Sequence, residues 1–326
     1  GIIDIKRKAA DPAPSATSLI PGNDISDHPK PGSLQRLARW MIQYGIDGPG
    51  DHRATRDLLM RRPPRVGQSG HTALAETDEN IQDAAHRLVT TLDQSYLAIQ
   101  GPPGSGKSTV GAQMIVDLVA AGKRIGVTAI SHKVIGELLE KAATTAGRQG
   151  IPITVGQRAG GEPTYADATV LPTPTAARKA IADGTVNVVG ATAWLWARED
   201  MANSVDVLFI DEAGQMSLAD TVAASLCATN LVLLGDPQQL DQPLQGTHPP
   251  GAERSALAHL LNDAPVIPDH LGLFLDGTWR LHPRISAYTS EVFYEGRLHS
   301  HPGRDELNVV GVPPIDGAGI RFIAIS

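Results

Sequence analysis

Apolar and polar residues alternate in blocks along most of this chain, in a pattern typical of strands that alternate with helices. The block 96–99 is short and apolar, which indicates a buried strand, and apolar residues between 107 and 121 recur at helical spacing. From residue 79 the pattern predicts, in order, helix 79–93, strand 96–100, helix 107–121, strand 124–129, helix 132–146, strand 186–190, helix 192–198, strand 205–210, helix 217–226 and strand 230–234. Such alternation predicts an α/β fold with a doubly wound parallel sheet.

The sequence divides into three predicted parts, of which the alternating region is the middle one. Residues 1–78 form an accessory segment and linker, with a strand over 2–6, a second short apolar run ending at Pro21, and helices over 33–46 and 53–60. Residues 79–270 form the first α/β domain, interrupted by an insertion over 147–178 that has few large apolar residues. Residues 271–326 form the beginning of a second domain, with a helix over 284–293 and a strand over 320–325; helix 253–261 precedes it.

Composition limits the class of protein. The chain has 326 residues, 41% of them hydrophobic, and a single cysteine, Cys227. One cysteine excludes a disulfide framework and a cysteine-based zinc site, and it fits a cytoplasmic protein. No apolar run reaches the length of a membrane span, so we expect no membrane partner. The chain begins with Gly1 instead of methionine, so the absence of a leader carries little weight.

Charge is distributed unevenly along the chain. The net charge is −7, which argues against a general nucleic-acid binder, but residues 1–70 hold 11 basic and 7 acidic groups. The densest basic cluster runs from Arg53 to Arg65. Two interpretations of this cluster are open, a solvated helix face or a patch that contacts phosphates, and the first is favoured.

The clearest chemical motif lies between the strand at 96–100 and the helix at 107–121. Residues 101–108 read Gly-Pro-Pro-Gly-Ser-Gly-Lys-Ser, a complete G-x-x-x-x-G-K-[ST] phosphate loop. Glycines let the backbone wrap around phosphate oxygens, and the amides and helix N-terminus favour negative charge. We therefore expect a bound nucleotide, with Lys107 reaching its β- and γ-phosphates and the Ser108 hydroxyl ligating Mg²⁺. The alternative is a glycine-rich turn without a ligand. The predicted nucleotide-binding residues here are Gly101, Pro102, Pro103, Gly104, Ser105, Gly106, Lys107, Ser108 and Thr109.

Two further strand ends carry polar residues. Asp211 and Glu212 follow the apolar run 205–210, where Asp211 would hold the metal and Glu212 would orient and deprotonate an attacking water. Gly235-Asp236-Pro237-Gln238-Gln239 follows the run 231–234, and a glutamine there, Gln239, can bond the γ-phosphate. Gly-Asp-Pro is also a good turn former, so a plain turn is the alternative.

Taken in order, these motifs resemble those of superfamily 1 helicases, and most of all class 1B, which includes senataxin. Gly101–Ser108 matches motif I, and residues 128–135 and 189–192 resemble motifs Ia and Ic. Residues 211–215 fit the D-E-x-x-Q form of motif II, and residues 235–240 fit motif III. Residues 278–283 with 291–298 look like motif IV and its sequel. The resemblance covers about residues 79–326. It implies two RecA-like domains, the first complete and the second only begun here.

The resemblance implies roles for individual residues. Gln82 stands where the family places an adenine-reading glutamine, and Arg280 matches an arginine that neutralises charge on the transferring phosphoryl group. Ser131, Lys133 and Thr192 match positions that contact the nucleic-acid backbone. The later motifs V and VI are absent, so this chain is expected to bind nucleotide yet hydrolyse it poorly by itself.

Residues 1–78, with His132-Lys133 and the segment Thr247–Pro250, further resemble bacterial proteins that join a RecB-like nuclease to such a helicase. The triplet Asp4-Ile5-Lys6 is similar to the D-x-K of that nuclease, although plain strand residues are the favoured interpretation. A nuclease domain, fused or associated, is thus an expected partner.

The leading hypothesis is an ATP-dependent helicase or translocase that uses Mg²⁺ and moves on single-stranded nucleic acid, DNA in preference to RNA. The second is a nucleotide-controlled nucleic-acid-binding module that regulates an attached nuclease without unwinding. The third, a P-loop kinase, has no use for motif III or the Arg280 segment. Of the tryptophans that could stack bases, Trp194 and Trp196 lie two apart on one helix, so at least one of them should be core.

Overall fold

The computed structural model describes residues 28–67, 73–240, 249–312 and 316–320. Its centre is a sheet of eight parallel strands in the spatial order β4-β3-β5-β2-β6-β7-β1-β8. The strands are β1 (Tyr96–Gln100), β2 (Ile125–Thr128), β3 (Val155–Arg158), β4 (Thr169–Val170), β5 (Val188–Ala191), β6 (Val205–Ile210), β7 (Ala228–Gly235) and β8 (Gly272–Phe274). A short parallel pair, β9 (Gly277–Thr278) and β10 (His299–Ser300), follows the sheet.

Helices cover both faces of this sheet. They are α1 (Lys30–Tyr44), α2 (Arg53–Leu59), α3 (Ile81–Thr90), α4 (Lys107–Ala120), α5 (His132–Gln149), α6 (Pro174–Ala182), α7 (Ala193–Trp196), α8 (Leu218–Ser225), α9 (Ala256–Leu261) and α10 (Pro283–Phe293). Within the described ranges, none of these helices combines the length and apolar character that crossing a membrane requires. The arrangement confirms the predicted α/β class with a parallel sheet flanked by helices.

The central strands are apolar because they are buried on both faces. Every residue of β1 is buried, and in β6 only Asp206 is partly exposed. Parallel strands covered by helices on both sides read as continuous apolar runs, which explains why the sequence predicted these two strands at their observed bounds.

Two hydrophobic layers, one on each face, hold the helices to the sheet. The first contains α3, α4 and α5, with Leu88, Met114 and Leu138 fully or almost fully buried. The second contains α1, α2, α6, α7, α8 and α9, and its largest buried side chain is Trp196. Burying a large apolar side chain contributes about 1.5–3 kcal/mol, so these layers supply most of the stability of the fold.

The N-terminal helices belong to the second layer instead of standing apart from it. Leu37 of α1 is 2% exposed and Leu58 of α2 is fully buried. The accessory segment and linker over 1–78 stay a prediction, and in the described part of that segment α1 and α2 cover the sheet as part of the same core.

The basic cluster Arg53–Arg65 is largely structural, and neither sequence interpretation describes it. Arg56 is 3% exposed, and its guanidinium donates to the carbonyl oxygens of Ile46 at 2.6 Å and Gly48 at 2.8 Å. The Arg65 guanidinium pairs with the buried carboxylate of Asp57. Arg56 thus closes the loop between α1 and α2, whereas Arg65 ties α2 to the carbonyls of residues 93 and 94 before β1. Burial of such charged groups requires the partners that they have.

The segment 147–178, predicted as an insertion with little core of its own, contributes two strands to the sheet. The helix α5 continues to Gln149, and β3 then pairs with β5 while β4 pairs with β3, so this segment extends the sheet. Only a few apolar side chains such as Val155 and Leu171 carry the burial, which is why the pattern looked irregular.

The sheet also passes the predicted domain boundary at residue 270. The strand β8 pairs in parallel with β1, which places residues 272–274 in the first sheet. Several predictions fall outside the described residues: the strand over 2–6 with Asp4-Ile5-Lys6, the apolar run ending at Pro21, residues 247–248, and the strand over 320–325 apart from Ile320.

Candidate active site

The phosphate loop lies between β1 and α4 in a conformation that its glycines make possible. Gly104 and Gly106 have φ angles of +78° and +90°, a region that residues with a Cβ rarely adopt. A Cβ on Gly101 would lie 2.4 Å from Cγ of Lys107, and one on Gly104 would lie 2.4 Å from Cβ of Arg280. Neighbouring side chains therefore pack directly against the loop backbone at Gly101 and Gly104, where a Cβ would not fit.

This loop has donors that the protein itself does not use. Among the described residues, no hydrogen bond engages the amides of Gly106, Lys107 or Ser108. The Ser105 hydroxyl is buried without a partner. The Lys107 ammonium donates to the Gly101 carbonyl at 2.6 Å, which holds it over the loop. Free amides, a helix N-terminus and an ammonium fit a polyphosphate.

The rest of the predicted loop supports this geometry. Ser105 donates its amide to the Pro102 carbonyl at 3.1 Å, and Thr109 donates its amide to the Gly106 carbonyl at 2.8 Å. The Pro103 carbonyl accepts a bond of 2.9 Å from the Thr278 hydroxyl. These bonds fix the loop from inside and from β9.

Asp211 and Glu212 lie at the carboxyl end of β6, close to the phosphate loop. Asp211 is 4% exposed, and burial together with the neighbouring Glu212 charge raises its pKa to about 6, while the Lys107 charge acts in the opposite direction. The Glu212 backbone has a φ of +53°, and its amide donates to Oδ1 of Asp211 at 2.9 Å. A cation beside Asp211 would relieve this unfavourable burial of charge.

Ser108 and Asp211 fit a magnesium ion in a nucleotide site. Mg²⁺ is usually held by one or two protein oxygens together with phosphate oxygens and waters. The described residues contain no group of three or more histidine, cysteine, aspartate or glutamate side chains that could hold a metal. A site of this kind needs no such group.

The ends of β6 and β7 meet through two glycines. The Ala213 amide donates to the Leu234 carbonyl at 2.8 Å, and a Cβ on Gly214 would lie 2.4 Å from the Asp236 carbonyl oxygen. A Cβ on Gly235 would lie 2.5 Å from the Gly214 amide nitrogen. The loops that carry Asp211 and Asp236 are therefore in direct backbone contact.

Asp236 is the centre of a buried polar network. It is 1% exposed, and its Oδ2 accepts a bond of 2.7 Å from the hydroxyl of Tyr294, the residue after α10. Its Oδ1 accepts from the Gln238 amide at 3.2 Å and lies 3.5 Å from Nε2 of Gln100. Burial and the Asp236 carboxyl raise the pKa of Tyr294, so its hydroxyl stays protonated and donates. Gln239, half-buried, donates its amide to the Asp236 carbonyl at 3.3 Å.

Arg280 is tied to the phosphate loop through its neighbours. The Trp279 amide donates to the Gly104 carbonyl at 2.9 Å, and the Arg280 amide donates to the Thr278 hydroxyl at 3.2 Å. The Arg280 side chain is exposed at this edge.

Gln82 lies beside a cavity of about 200 Å³ that adjoins the phosphate loop. The cavity is lined by Ser105, Gly277 and His301 as well as by Gln82, whose amide donates to the Asn80 side chain at 2.8 Å. The His301 ring stacks on Trp279 with centroids 3.7 Å apart. The structure thus brings Gln82 to the loop from a site almost twenty residues upstream.

The residues predicted to contact nucleic acid lie at the same edge of the sheet but over other strands. Ser131 follows β2 and accepts the Val134 amide at 3.3 Å as the cap of α5, and Lys133 is 84% exposed. Thr192 follows β5 at the start of α7. Trp196 is fully buried and its indole donates to the Ala191 carbonyl at 3.0 Å, which confirms that one of the two neighbouring tryptophans is core.

All predicted site residues therefore share one edge of the sheet, in two groups. The phosphate loop, Asp211, Glu212 and Gln239 follow the adjacent strands β1, β6 and β7, with Gln82 and Arg280 next to the loop. The second group follows β2 and β5. The sequence assigned no role to Gln100 or His301, nor to Thr278 and Tyr294 within the ranges that look like motif IV and its sequel, because these roles depend on contacts with distant parts of the chain.

Comparisons with known proteins agree with this geometry. Residues 78–249, more than half of the chain, match the family described as an AAA domain. The chain is 34% identical over 94 residues to the mouse 5'-3' DNA helicase ZGRF1, covering 28% of this chain and 5% of that protein. It is 30% identical over 113 residues to Helicase SEN1 of Saccharomyces cerevisiae (strain ATCC 204508 / S288c), covering 33% of this chain and 5% of that protein.

Among solved structures, the Arterivirus nonstructural protein 10 (helicase) in complex with DNA aligns with a TM-score of 0.42 and 17% identity, covering 67% of this chain and 44% of that one. The chain thus spans about one twentieth of the length of the two curated relatives and less than half of this structure.

Proposed function

This chain belongs to the AAA domain family and has a RecA-like P-loop NTPase fold, and from these premises we propose that it is the ATP-hydrolysing part of a nucleic-acid helicase or translocase. One observation carries the proposal: three groups converge at the carboxyl ends of β1, β6 and β7. They are a phosphate loop with free amide donors, the carboxylates of Asp211 and Glu212, and the polar loop after β7 that holds Gln239. We further propose membership of class 1B of superfamily 1, with the senataxin-like motifs as the support.

The proposed reaction is attack of water on the γ-phosphorus of ATP. Glu212 accepts a proton from the attacking water, the bond from the γ-phosphorus to the bridging oxygen breaks, and ADP leaves with the electron pair of that bond. Lys107 exchanges its contact with the Gly101 carbonyl for β- and γ-phosphate oxygens. Mg²⁺, held by Ser108 and Asp211, supplies charge neutralisation on these oxygens when bound.

Two further residues complete the proposed machinery. Gln239 contacts the γ-phosphate from the loop after β7 and senses its loss. Arg280 places a permanent positive charge near the loop, where it stabilises charge on the transferring phosphoryl oxygens. Such an arginine is worth about 10³-fold or more in rate.

Single-stranded nucleic acid is the proposed track, with DNA as the expected polymer and Ser131, Lys133 and Thr192 as backbone contacts. The support is their position over β2 and β5, at the edge where the nucleotide residues also lie. The names of the two curated relatives favour the same class of activity. A nuclease partner and a cytoplasmic location stay predictions of the sequence.

The test is ATP hydrolysis by this chain with and without single-stranded DNA or RNA. We expect Lys107→Ala to lose nucleotide binding and Glu212→Gln to bind nucleotide without turnover. Lys123→Ala and Glu140→Gln, which change exposed residues of the same types elsewhere on the domain, serve as matched controls. Unchanged turnover in Glu212→Gln would refute the general-base assignment.

A second assay separates the two leading functions. Strand separation on a tailed duplex is expected of a helicase, whereas nucleotide-dependent binding without separation is expected of a regulatory module.

A further inference from the structure

Two connected cavities lie beside α1 and the carboxyl ends of β3 and β5, over other strands than the phosphate loop. The first, about 510 Å³, is lined by Arg36 and Arg39 of α1 and by Arg198. The second, about 310 Å³, is lined by Arg158, Thr192 and Arg198. Both are lined by His28, Pro29 and Arg198, so they form one continuous depression, which we call the basic groove.

The groove concentrates positive charge on a protein whose net charge is −7. Four arginines and two histidines, His28 and His132, line it, against two acidic residues, Glu199 and Asp200. Asp200 is already bonded to Arg198 at 2.9 and 3.0 Å. Among the described residues no acidic side chain forms an ion pair with the other three arginines, whereas Arg198 has Asp200 as its partner.

The contacts of these arginines leave them free to bind. Arg36 donates from Nη2 to the Ala197 carbonyl at 2.9 Å, which anchors α1 beside α7 and leaves its other nitrogens unused. Arg158 donates to the carbonyl of the next residue. Within the described residues Arg39 has no hydrogen bond or ion pair, and it is exposed. Guanidinium groups in this state suit phosphates, which they bind with two donors at once.

The groove begins at a predicted nucleic-acid contact and leads away from it. Thr192, at the end of β5, lines its inner part, and Arg158, at the end of the neighbouring β3, lies alongside. From there the groove runs to α1, whose Arg36 and Arg39 are three residues apart and therefore project from neighbouring positions on one helix face.

We propose that the basic groove is an extension of the nucleic-acid track, in which α1 and the loop after β3 bind the phosphates of a single strand beyond Ser131, Lys133 and Thr192. This inference rests on the proposed function. It assigns to the N-terminal helix a binding role that no motif of the sequence indicated.

The groove binds the strand backbone and does not read bases. The Trp194 ring, the aromatic side chain at its inner end, is covered by the Lys30 ammonium at 4.5 Å, and that ammonium is held by Asp220 at 2.9 Å. Binding here is therefore sequence-independent and sensitive to salt.

The test compares Arg39→Gln/Arg158→Gln with a matched double variant, Lys141→Gln/Arg148→Gln, which removes the same charge from exposed positions further along α5. Binding of labelled oligothymidylate is measured by fluorescence anisotropy over a salt series. Each lost phosphate contact lowers the slope of log K against log salt by about 0.7, so we expect a decrease of about 1.4 and binding about 10- to 30-fold weaker near about 0.1 M salt. The control keeps the wild-type slope.

The outcomes separate this inference from the proposed function. Wild-type affinity and slope in Arg39→Gln/Arg158→Gln would overturn the groove while leaving the proposed function intact. No binding of oligonucleotide by the wild-type chain, with nucleotide binding preserved, would overturn both. Tighter binding of a labelled polyglutamate peptide than of oligothymidylate would overturn the groove in favour of an acidic protein partner. Nucleotide binding, measured in parallel, must be equal in all variants for the comparison to count as support.

Discussion

Removing one hydroxyl from Tyr294 tests how the edge of the sheet is held together. This hydroxyl donates to Oδ2 of Asp236 at 2.7 Å, and the carboxyl is 1% exposed, so water does not replace a lost donor readily. In Tyr294→Phe the ring keeps its packing against Phe274, whose centroid lies 5.8 Å away. The substitution therefore removes the hydrogen bond and little else.

The size of the effect follows from the partners that remain. Oδ2 loses the donor described above, and Oδ1 keeps the Gln238 amide at 3.2 Å and a long contact of 3.5 Å with Gln100. Leaving a buried acceptor unpaired costs about 1–3 kcal/mol. We expect Tyr294→Phe to lower the free energy of unfolding by about 2 kcal/mol, which is roughly a 30-fold change in the folding equilibrium.

Urea unfolding followed by circular dichroism measures this loss, with Tyr288→Phe as the control. Tyr288 lies in α10, which ends just before Tyr294, and it is 53% exposed, so its substitution should change the free energy of unfolding by less than about 0.5 kcal/mol. Equal midpoints for the two variants, at equal m-values, would refute the reasoning, because they would mean that the buried carboxyl does not depend on this donor.

The remaining predictions concern the phosphate loop and a half-buried histidine, His259. Gly104→Ala should weaken nucleotide binding at least about tenfold, because φ at this position is +78° and the new Cβ would lie 2.4 Å from Cβ of Arg280. The control in the same titration is Gly147→Ala, whose new Cβ would have no neighbouring side chain within 4 Å. Thr278→Val removes the hydroxyl that bonds the loop at 2.9 Å and should raise the dissociation constant for nucleotide severalfold, whereas an unchanged constant would contradict the tether. Burial lowers the pKa of His259, so the unfolded chain binds more protons than the folded chain, and the free energy of unfolding should fall as the pH drops below about 6.5. His259→Gln should flatten this pH dependence in urea titrations. An equally steep pH profile in the variant would exclude this histidine as a cause.

The sequence predicted the central sheet well because its strands are buried on both faces. The strands β1 and β6 were predicted at their observed bounds, since their apolar runs end abruptly in polar residues. The strands β3 and β4 were missed. They are short, lie at one edge, and depend for burial on single side chains such as Leu171 from a segment rich in glycine, proline and threonine.

In the candidate site, too, residues that are contiguous in sequence could be predicted, whereas contacts between distant residues could not. The phosphate loop and the Asp211-Glu212 pair are contiguous in sequence, so their chemistry could be inferred from spacing alone. The bond from Tyr294 to Asp236 joins residues 58 positions apart, and no local pattern indicates it. The same holds for Arg56, whose acceptors are carbonyls of a loop that only the fold brings around it.

The chain that leaves the sheet through β8 has a mechanical consequence. Ala98, Ile99 and Gln100 of β1 pair with β8, and the Leu275 amide then donates to the Gln100 carbonyl at 2.9 Å. Further bonds to the loop follow at Thr278 and Trp279. Because these bonds lie in series along a parallel pair, a pull on the chain beyond Trp279 loads them together in shear instead of opening them one at a time. Tension on the chain after Trp279 is therefore transmitted to the phosphate loop through these hydrogen bonds, without a flexible linker in between.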